Sequence, residues 1–334
     1  GDIGRGGSIR GLFRQHHGLQ PHLSLHAQTH PPAAIALLWI FSWAVGRDPL
    51  RLSLATAAFA SLAIAPLFLW LRELAGRRTA LLGCLLYAVL PACVIFAATS
   101  ADILFMPVVL ATLCLFERAI RRGSWPCALA AGVFYALAGL FSFNLLCLGF
   151  YFAVVGIQRL WEPRARRAVL LTAGVMTAGF LGAYAAVYAW SGFSMIACFN
   201  GALACHADAE RAKQALGYPV SEWAWRLINP VCWFYYAGVP IALLFIASLV
   251  RFRRGVESFA LTAAITLLIL NLLFHARGEV ERSALYVFPF IAAPAAARLD
   301  RLARDARSTA PVVATVAFLA FQCWLTEVLF DTYW

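Results

Sequence analysis

The chain has 334 residues, of which 62% are hydrophobic and only 13% are charged, and its formal net charge is +11. Soluble domains contain about 25% charged residues, so this composition excludes an ordinary soluble domain, a disordered chain and a disulfide-stapled mini-protein. The basic residues separate apolar segments instead of forming one patch, which argues against nucleic acid as a partner. We therefore expect a single all-α, polytopic membrane domain over residues 1–334.

Apolar stretches bounded by charged residues predict about ten transmembrane helices. The predicted spans are 50–71, 79–100, 102–117, 125–141, 144–158, 168–190, 231–250, 258–275, 283–298 and 309–328. The uncharged run 125–158 would measure ~50 Å as one helix, so a hairpin is expected near residues 142–144. The domain then divides into an outer loop with an interfacial helix, six spans, a second outer loop and four spans, at 1–48, 49–190, 191–230 and 231–334.

The segment 33–46 is apolar but short. As a helix it would extend only ~21 Å, less than the ~30 Å of a hydrocarbon core. Pro31 and Pro32 suit the start of a helix, and Trp39 and Trp43 suit the headgroup level. We predict a short interfacial or re-entrant helix, which leaves residues 1–30 on the outer side.

Arginine is concentrated in alternate loops, and the positive-inside rule assigns these loops to the cytoplasm. The seventeen residues are Arg72, Arg77, Arg78, Arg118, Arg121, Arg122, Arg159, Arg164, Arg166, Arg167, Arg251, Arg253, Arg254, Arg298, Arg301, Arg304 and Arg307. The other loops, which are predicted to face outward, hold Asp102, residues 142–144, the stretch 191–230 and the polar island 275–282.

The outer segment 1–30 contains one acidic residue, Asp2, and five histidines. His22, His26 and His30 recur every four residues, a spacing that would align them on a helix face as metal ligands. The alternative is a solvated tail in which the histidines are incidental.

Asp102 is the only acid between two apolar runs that would otherwise merge. A carboxylate at this position can bind a divalent cation or a substrate hydroxyl. It can also serve as the N-cap of the following helix, and the two roles are compatible.

The island 275–282 carries five ionisable groups in eight residues: His275, Arg277, Glu279, Glu281 and Arg282. The planar guanidinium of arginine suits a phosphate, and Arg282 would lie at the start of the span 283–298. The alternative is a loop of mutually neutralising salt bridges.

Two features of the stretch 191–238 have open interpretations. Its aromatic residues between Tyr218 and Tyr236 suit either a sugar or the interfacial belt. Cys198 and Cys205 would share a polar loop, where a disulfide forms if the loop faces an oxidising compartment.

Several short stretches resemble the GT-C integral-membrane glycosyltransferases, a superfamily that includes protein mannosyltransferases and aminoarabinose transferases. They are Thr29-His30-Pro31-Pro32, Arg51-Leu-Ser-Leu-Ala-Thr, the run from Arg72 to Arg78, the span with Pro91 that ends at Asp102, and Gly278-Glu279-Val280-Glu281-Arg282.

The resemblance implies a GT-C-like fold and transfer of a sugar from a polyprenyl-phosphate donor to an acceptor hydroxyl on a glycan, lipid or protein. It implies a multi-pass protein of the cell (inner) membrane with its active site on the extracytoplasmic side. Asp2 matches the first acid of the family's paired-acid motif and would be the catalytic base. Ile3 replaces the second acid, and the span that precedes this acid in the family would lie upstream of Gly1.

The remaining roles follow from the same resemblance. Arg282, and secondly Arg277, would bind the donor phosphate, and His30 and Glu279 would also bind the donor by positioning a metal ion or the sugar. Asp102 would contact substrate or a metal ion, and a divalent cation such as Mg²⁺ or Mn²⁺ is the cofactor to consider. A transporter or flippase for a lipid-linked or small polar substrate is the alternative, and a partner-binding scaffold is a third.

Overall fold

The computed structural model describes residues 2–215, 222–250, 256–273 and 280–330, and every regular element in these ranges is helical. The first nine helices are α1 Ile9–Leu19, α2 Leu25–Gln28, α3 Ala33–Val45, α4 Pro49–Ser61, α5 Ile64–Ala75, α6 Arg77–Ala88, α7 Pro91–Phe96, α8 Met106–Arg122 and α9 Trp125–Phe141. The others are α10 Leu148–Leu160, α11 Arg166–Ser191, α12 Met195–Ala215, α13 Glu222–Ala237, α14 Val239–Val250, α15 Val256–Leu273, α16 Val280–Ser283, α17 Phe288–Asp305 and α18 Ala310–Leu329. The predicted all-α class is confirmed.

Five helical segments of the described residues are long and apolar enough to cross a membrane, and a sixth results if the bent pair α13–α14 is counted as one span. The five are Pro49–Ala75, Ala101–Arg122, Phe143–Leu160, Arg166–Ser191 and Ala310–Leu329. The helices α3, α9 and Phe259–Leu273 are apolar but shorter. Ten spans therefore stay a prediction, whereas the hairpin near 142–144 is confirmed because α9 ends at Phe141 and a 3-10 turn follows over Phe143–Cys147.

The segment Ala101–Arg122, a 3-10 turn followed by α8, is the central helix of the bundle. Asp102 lies at its first turn and Arg122 at its last, which separates them by ~30 Å at 1.5 Å per residue. The helix therefore has one acidic end and one arginine-rich end.

The arginine-rich end is joined by ion pairs from several helices. The carboxylate of Asp300, buried on α17, lies 2.7 Å from Nε of Arg78, accepts a hydrogen bond of 3.1 Å from Thr79 and pairs with Arg304. Arg122 pairs with Glu73, and Arg121 with the buried Glu117. These contacts bring together arginines from three of the loops that the charge pattern assigns to one side.

Helices α9 and α11 approach each other closely at two glycines. A Cβ at Gly132 would lie 2.0 Å from the carbonyl oxygen of Met176, and one at Gly179 would lie 2.5 Å from that of Leu129. Small residues at such positions let two helix backbones pack in contact.

The predicted span 231–250 is not a single straight helix. It breaks at Gly238, where φ is +99° and the axes of Trp223–Ala237 and α14 meet at 112°. The amide of Gln322 on α18 bridges the break: its Oε1 accepts from the N–H of Val239 at 2.9 Å, and its Nε2 donates to the carbonyl of Tyr235 at 2.8 Å. Backbone N–H and C=O groups that lose their helical partners inside a membrane protein need other hydrogen-bond partners. At this break the side chain of Gln322 is that partner.

The outer segment folds into a small unit of its own. Helices α1 and α2 and the 3-10 turn Gln20–His22 pack on α3 and on the first turns of α12, around a second core of Leu12, Phe13, Leu23, Ile35, Ala36, Trp39, Leu140, Phe193 and Cys198. The buried amide of Gln20 donates to the carbonyl of Cys198 at 3.0 Å and to that of Gln28 at 3.2 Å. These contacts fix the segment to the bundle. The helix predicted over 33–46 is present as α3, and its interfacial position stays a prediction.

The local structure of the stretch 191–230 differs from a loop, and it decides the open question of the disulfide. Most of the stretch is helical, since α12 extends from Met195 to Ala215 and α13 begins at Glu222. Cys198 and Cys205 lie seven residues apart on α12, ~10 Å along its axis, and both thiols are free. A disulfide cannot join them at that separation.

Candidate active site

Asp2 and Asp102 line one cavity of about 290 Å³ at the end of the bundle opposite the arginine-rich end. The other polar residues in its wall are Ser24, His26 and His30. The apolar part of the wall is made of Ile3, Ala27, Pro31, Ala34, Ile35, Leu38, Ala101, Phe105 and Phe141. A mostly apolar pocket with a few converging polar groups is the usual form of a small-molecule site.

The carboxylate of Asp2 is held by Ser24. The hydroxyl of Ser24 donates to Oδ2 at 2.6 Å, and its backbone N–H donates to the same oxygen at 3.1 Å. Arg5 places Nε 3.6 Å from Oδ1 and also donates to the carbonyl of His22. Ser24 precedes α2 in the N-cap position but makes no side-chain cap there, because its hydroxyl is directed to Asp2.

Asp102 lies in the 3-10 turn Ala101–Phe105, and Ser100 is the residue that caps this turn. The Ser100 hydroxyl accepts from the N–H of Asp102 at 3.1 Å and donates to its Oδ2 at 3.1 Å. The hypothesis that Asp102 itself is the N-cap is therefore wrong. Its carboxylate points to the cavity instead.

Arg282 reaches the same group of residues from α16. Its Nε lies 3.3 Å from Oδ2 of Asp102, and its side chain is only 8% exposed. One terminal nitrogen of the guanidinium lies 3.2 Å from Nδ1 and 3.1 Å from Nε2 of His26, so it faces the imidazole ring. The charged end of Arg282 is thus directed at two residues of the cavity wall.

The span predicted to begin at Ser283 starts differently. Arg282 belongs to the single turn α16, a 3-10 turn follows over Leu285–Val287, and the long helix α17 begins at Phe288. Arg282 is consequently placed by a bend and not by the first turn of a long helix. His275, Arg277 and Glu279 of the same island lie outside the described residues.

The histidines do not form the predicted helix face. His22 ends a 3-10 turn, His26 lies in α2, and His30 follows that helix, where its Nδ1 donates to the carbonyl of His26 at 2.7 Å. Within the ranges that the structure covers, no three His, Cys, Asp or Glu side chains form a cluster that could hold a metal ion. The zinc-type hypothesis for this segment is wrong.

His16, which is fully buried beneath this region, fixes the position of His30. Its Nε2 donates to the carbonyl of His30 at 3.1 Å. Burial, and next the charge of nearby His17, lower the pKa of His16 to about 4, although the hydrogen bond to His30 acts in the opposite direction. His16 is therefore neutral at physiological pH.

The sequence predicted that Asp2, His30, Asp102 and Arg282 lie together. The structure places the first three in the wall of one cavity, and Arg282 contacts Asp102 in that wall. Sequence reasoning missed Ser24, for which the only signal was a serine ahead of a short helical stretch. It considered His26 only as a metal ligand, because nothing local to 24–30 indicates an arginine 256 residues later.

A family model described as dolichyl-phosphate-mannose-protein mannosyltransferase matches residues 29–193, just under half of the chain. Among curated proteins, none matches the chain in sequence.

Three solved structures have the same fold. ArnT from Cupriavidus metallidurans in the apo state superposes with a TM-score of 0.57 at 18% identity, over 86% of this chain and 52% of that one. The structure of the same protein bound to undecaprenyl phosphate superposes with a TM-score of 0.56 at 16% identity, over 82% of this chain and 50% of that one.

The oligosaccharyltransferase of Archaeoglobus fulgidus, solved with zinc and sulfate, gives a TM-score of 0.58 at 17% identity, over 88% of this chain and 44% of that one. The chain thus spans about half the length of the solved proteins that it matches. Residues 29–193 thus match the mannosyltransferase family model, and the GT-C-like fold predicted from the sequence is confirmed over most of the chain.

Proposed function

We propose that this protein transfers a sugar from a polyprenyl-phosphate donor to an acceptor hydroxyl, with inversion at the anomeric carbon. One observation carries the proposal: Asp2 and Asp102 line one cavity, and Arg282 contacts Asp102 in its wall. Asp2 and Asp102 are 100 positions apart in the sequence, and Asp102 and Arg282 are 180 positions apart. A carboxylate that can accept a proton and a guanidinium that can bind a phosphate are the two groups that this chemistry needs.

Asp2 is the proposed base. Its carboxylate takes the proton of the acceptor hydroxyl as that oxygen attacks the anomeric carbon, a step worth roughly 10²–10⁴-fold in rate. The bond between the anomeric carbon and the phosphate oxygen breaks with its electron pair moving to the phosphate. Because one displacement occurs, the configuration inverts. Ser24 directs the carboxylate for this role, since both of its donors lie on one carboxylate oxygen.

Arg282 is the proposed phosphate ligand. The departing lipid phosphate develops negative charge, and a preorganised guanidinium stabilises that charge. Arg282 is already held by Asp102 and His26, so it needs little reorganisation. Arg277 as a second phosphate ligand, and Glu279 and His30 as groups that position the sugar, are parts of the same proposal.

A bound divalent cation would be held by few protein ligands. Asp102 and phosphate oxygens of the donor would suit Mg²⁺ or Mn²⁺, which commonly bind through one or two carboxylates plus substrate phosphates. Such an ion would neutralise phosphate charge.

The proposed setting is the outer face of the cell (inner) membrane. The donor would be a polyprenyl-phosphate-linked sugar with its chain in the bilayer, and the acceptor a glycan, lipid or protein. The arginine-rich end of the central helix is the cytoplasmic end by the positive-inside rule. Asp102 lies ~30 Å from that end, about the thickness of a bilayer core, which supports an active site on the outer side. Undecaprenyl phosphate bound to the structurally similar ArnT supports the donor class.

The feature that would suit the alternative, a transporter or flippase, is the broken helix α13–α14, because broken helices form substrate sites in many transporters. In this chain, however, the N–H of Val239 and the carbonyl of Tyr235 at the break are occupied by Gln322. They are not available to a substrate, so we place the chemistry at the Asp2 cavity.

The test is release of polyprenyl phosphate from a labelled donor by the full chain in proteoliposomes, with water or an added glycan, lipid or peptide as the acceptor. Asp2→Asn should lower turnover by at least ~10²-fold and leave donor binding unchanged, whereas Asp208→Asn, an exposed acid on α12, should change neither. Turnover that survives in Asp2→Asn contradicts the base assignment. Movement of donor across vesicles without any product supports the transporter.

A further inference from the structure

A second concave surface lies where α3 meets α4. It is an open groove of about 640 Å³, lined by Ala44, Val45 and Gly46 at the end of α3 and by Arg51, Leu54, Ala55 and Ala58 on α4. Trp43, which adjoins the groove, is 67% exposed and Leu54 is 60% exposed. Since α4 begins a candidate membrane span, these exposed apolar side chains are accessible to lipid if the span crosses the bilayer.

The groove has a cationic end. Arg51 is its only charged lining residue, and neither Arg51 nor Arg47 forms an ion pair within 4.0 Å in the part of the chain that the structure describes. The nearby acid, Asp48, accepts the backbone N–H of Arg51 at 3.0 Å and so caps α4. Two guanidinium groups therefore remain available to an anion.

The order of these groups along α4 matches the layers of a membrane. Leu54, Ala55 and Ala58 follow Arg51 by three, four and seven residues, which places them about 4.5, 6 and 10 Å deeper along the helix axis. Arg51 lies near the end of the span that packs beside Asp102, ~30 Å from Arg72. The guanidinium of Arg51 would thus lie at the depth of the lipid headgroups, and the apolar residues Leu54, Ala55 and Ala58 would line the groove below it.

We propose that this groove binds an anionic glycerophospholipid of the bilayer, with its phosphate on Arg51 and Arg47 and one acyl chain along Ala44, Ala55 and Ala58. Guanidinium groups at headgroup depth attract anionic lipids, and the small side chains leave room for the chain. The site is separate from the Asp2 cavity and does not depend on the glycosyl transfer proposed above.

The site adjoins the loop that carries Asp2. A Cβ added at Gly4 would lie 3.1 Å from a terminal nitrogen of Arg47, so Arg47 rests against this loop. A lipid bound at Arg47 would consequently support the backbone two residues from Asp2. The groove provides a contact between the bilayer surface and the outer segment.

Native mass spectrometry of the full chain in detergent, with added phosphatidylglycerol or phosphatidylcholine, tests the proposal. We expect phosphatidylglycerol to be retained more tightly, and Arg51→Gln to weaken its retention by about fivefold, as for the loss of one basic contact at a lipid surface. Ala58→Phe should fill the groove and have a comparable effect. Arg14→Gln, an exposed arginine on α1, and Ala186→Phe, an exposed alanine on α11, are the matched controls.

Equal retention of the two lipids overturns the proposal, as does undiminished retention of phosphatidylglycerol by both groove variants. Thermal unfolding in lipid-free detergent shows whether the variants are folded. If Arg51→Gln is unstable, Ala58→Phe decides, because the exposed Ala58 makes no contact in the core.

Discussion

Arg282 and Asp102 form a largely buried ion pair across 180 residues of sequence, with 3.3 Å between Nε and Oδ2. The pair joins the bend before α17 to the first turn of the central helix. Since Arg282 also faces His26, it connects the bundle to the outer segment. Three distant parts of the chain therefore meet at one guanidinium.

Removing either partner of this pair should be costly. We expect Asp102→Asn or Arg282→Gln to lower the free energy of unfolding by about 1–3 kcal/mol, because a buried charge loses its counter-charge. The double variant should lose less than the sum of the two. Chemical denaturation in detergent measures these values, and the exposed pair Asp208 and Arg211 on α12, worth less than ~1 kcal/mol, is the control. Additive losses would contradict a direct interaction.

Ser24 should affect turnover more than donor affinity. Ser24→Ala removes the hydroxyl at 2.6 Å from Asp2 but keeps the backbone N–H, so we expect kcat to fall about tenfold with an unchanged KM for the donor. Ser24→Thr keeps the hydroxyl and should restore most of the activity. Equal losses in both variants, or a change in KM alone, would show that Ser24 does not position the base.

The outer segment should loosen in acid because of His16. With a pKa of about 4 when folded and 6.5 when exposed, the unfolded form binds the proton more tightly, so stability falls as the pH drops from 6.5 towards 4. The expected loss is of order 3 kcal/mol.

Hydrogen exchange of residues 9–30 at pH 7.5 and pH 5 measures this effect. His16→Gln retains a donor for the carbonyl of His30 and does not titrate, so its exchange should depend less on pH. The exposed His17→Gln is the control. Identical pH dependence in the wild type and His16→Gln would exclude His16 as the cause.

The broken helix should depend on Gln322. Gln322→Leu leaves the N–H of Val239 without its partner, while the carbonyl of Tyr235 keeps only the N–H of Gly238 at 2.9 Å. We expect a loss of about 1–3 kcal/mol in the free energy of unfolding. Gly238→Ala should also destabilise, since φ is +99° and the new Cβ would lie 2.2 Å from Leu319. A stable Gln322→Leu protein would contradict this role.

The positions of many helices could be predicted because they depend on local properties of the sequence, namely the length of apolar stretches and the charges beside them. Apolar length and flanking charge identified α3 within one residue of its end and located the turn after Phe141. The grouping of arginines agrees with the ion pairs of Arg78, Arg122 and Arg304 at one end.

The rest depends on contacts between distant residues. The break at Gly238 is stabilised by a glutamine 84 positions later, so no local pattern reveals it. Ser24 and His26 acquire their roles from Asp2 and Arg282, which pack against them only in the folded protein. The helix over Met195–Ala215 was missed because its apolar and polar residues alternate without a membrane-length run.

The long sequence separation between Asp102 and Arg282 also determines when their ion pair can form during synthesis of the chain. At 5–20 residues per second, the ribosome makes the arginine roughly 10–35 s after the aspartate. During that interval Asp102 lacks the guanidinium with which it pairs in the folded protein. Only chains translated past α16 can form this ion pair, so a product that ends upstream of Arg282 lacks the contact between the central helix and the bend before α17.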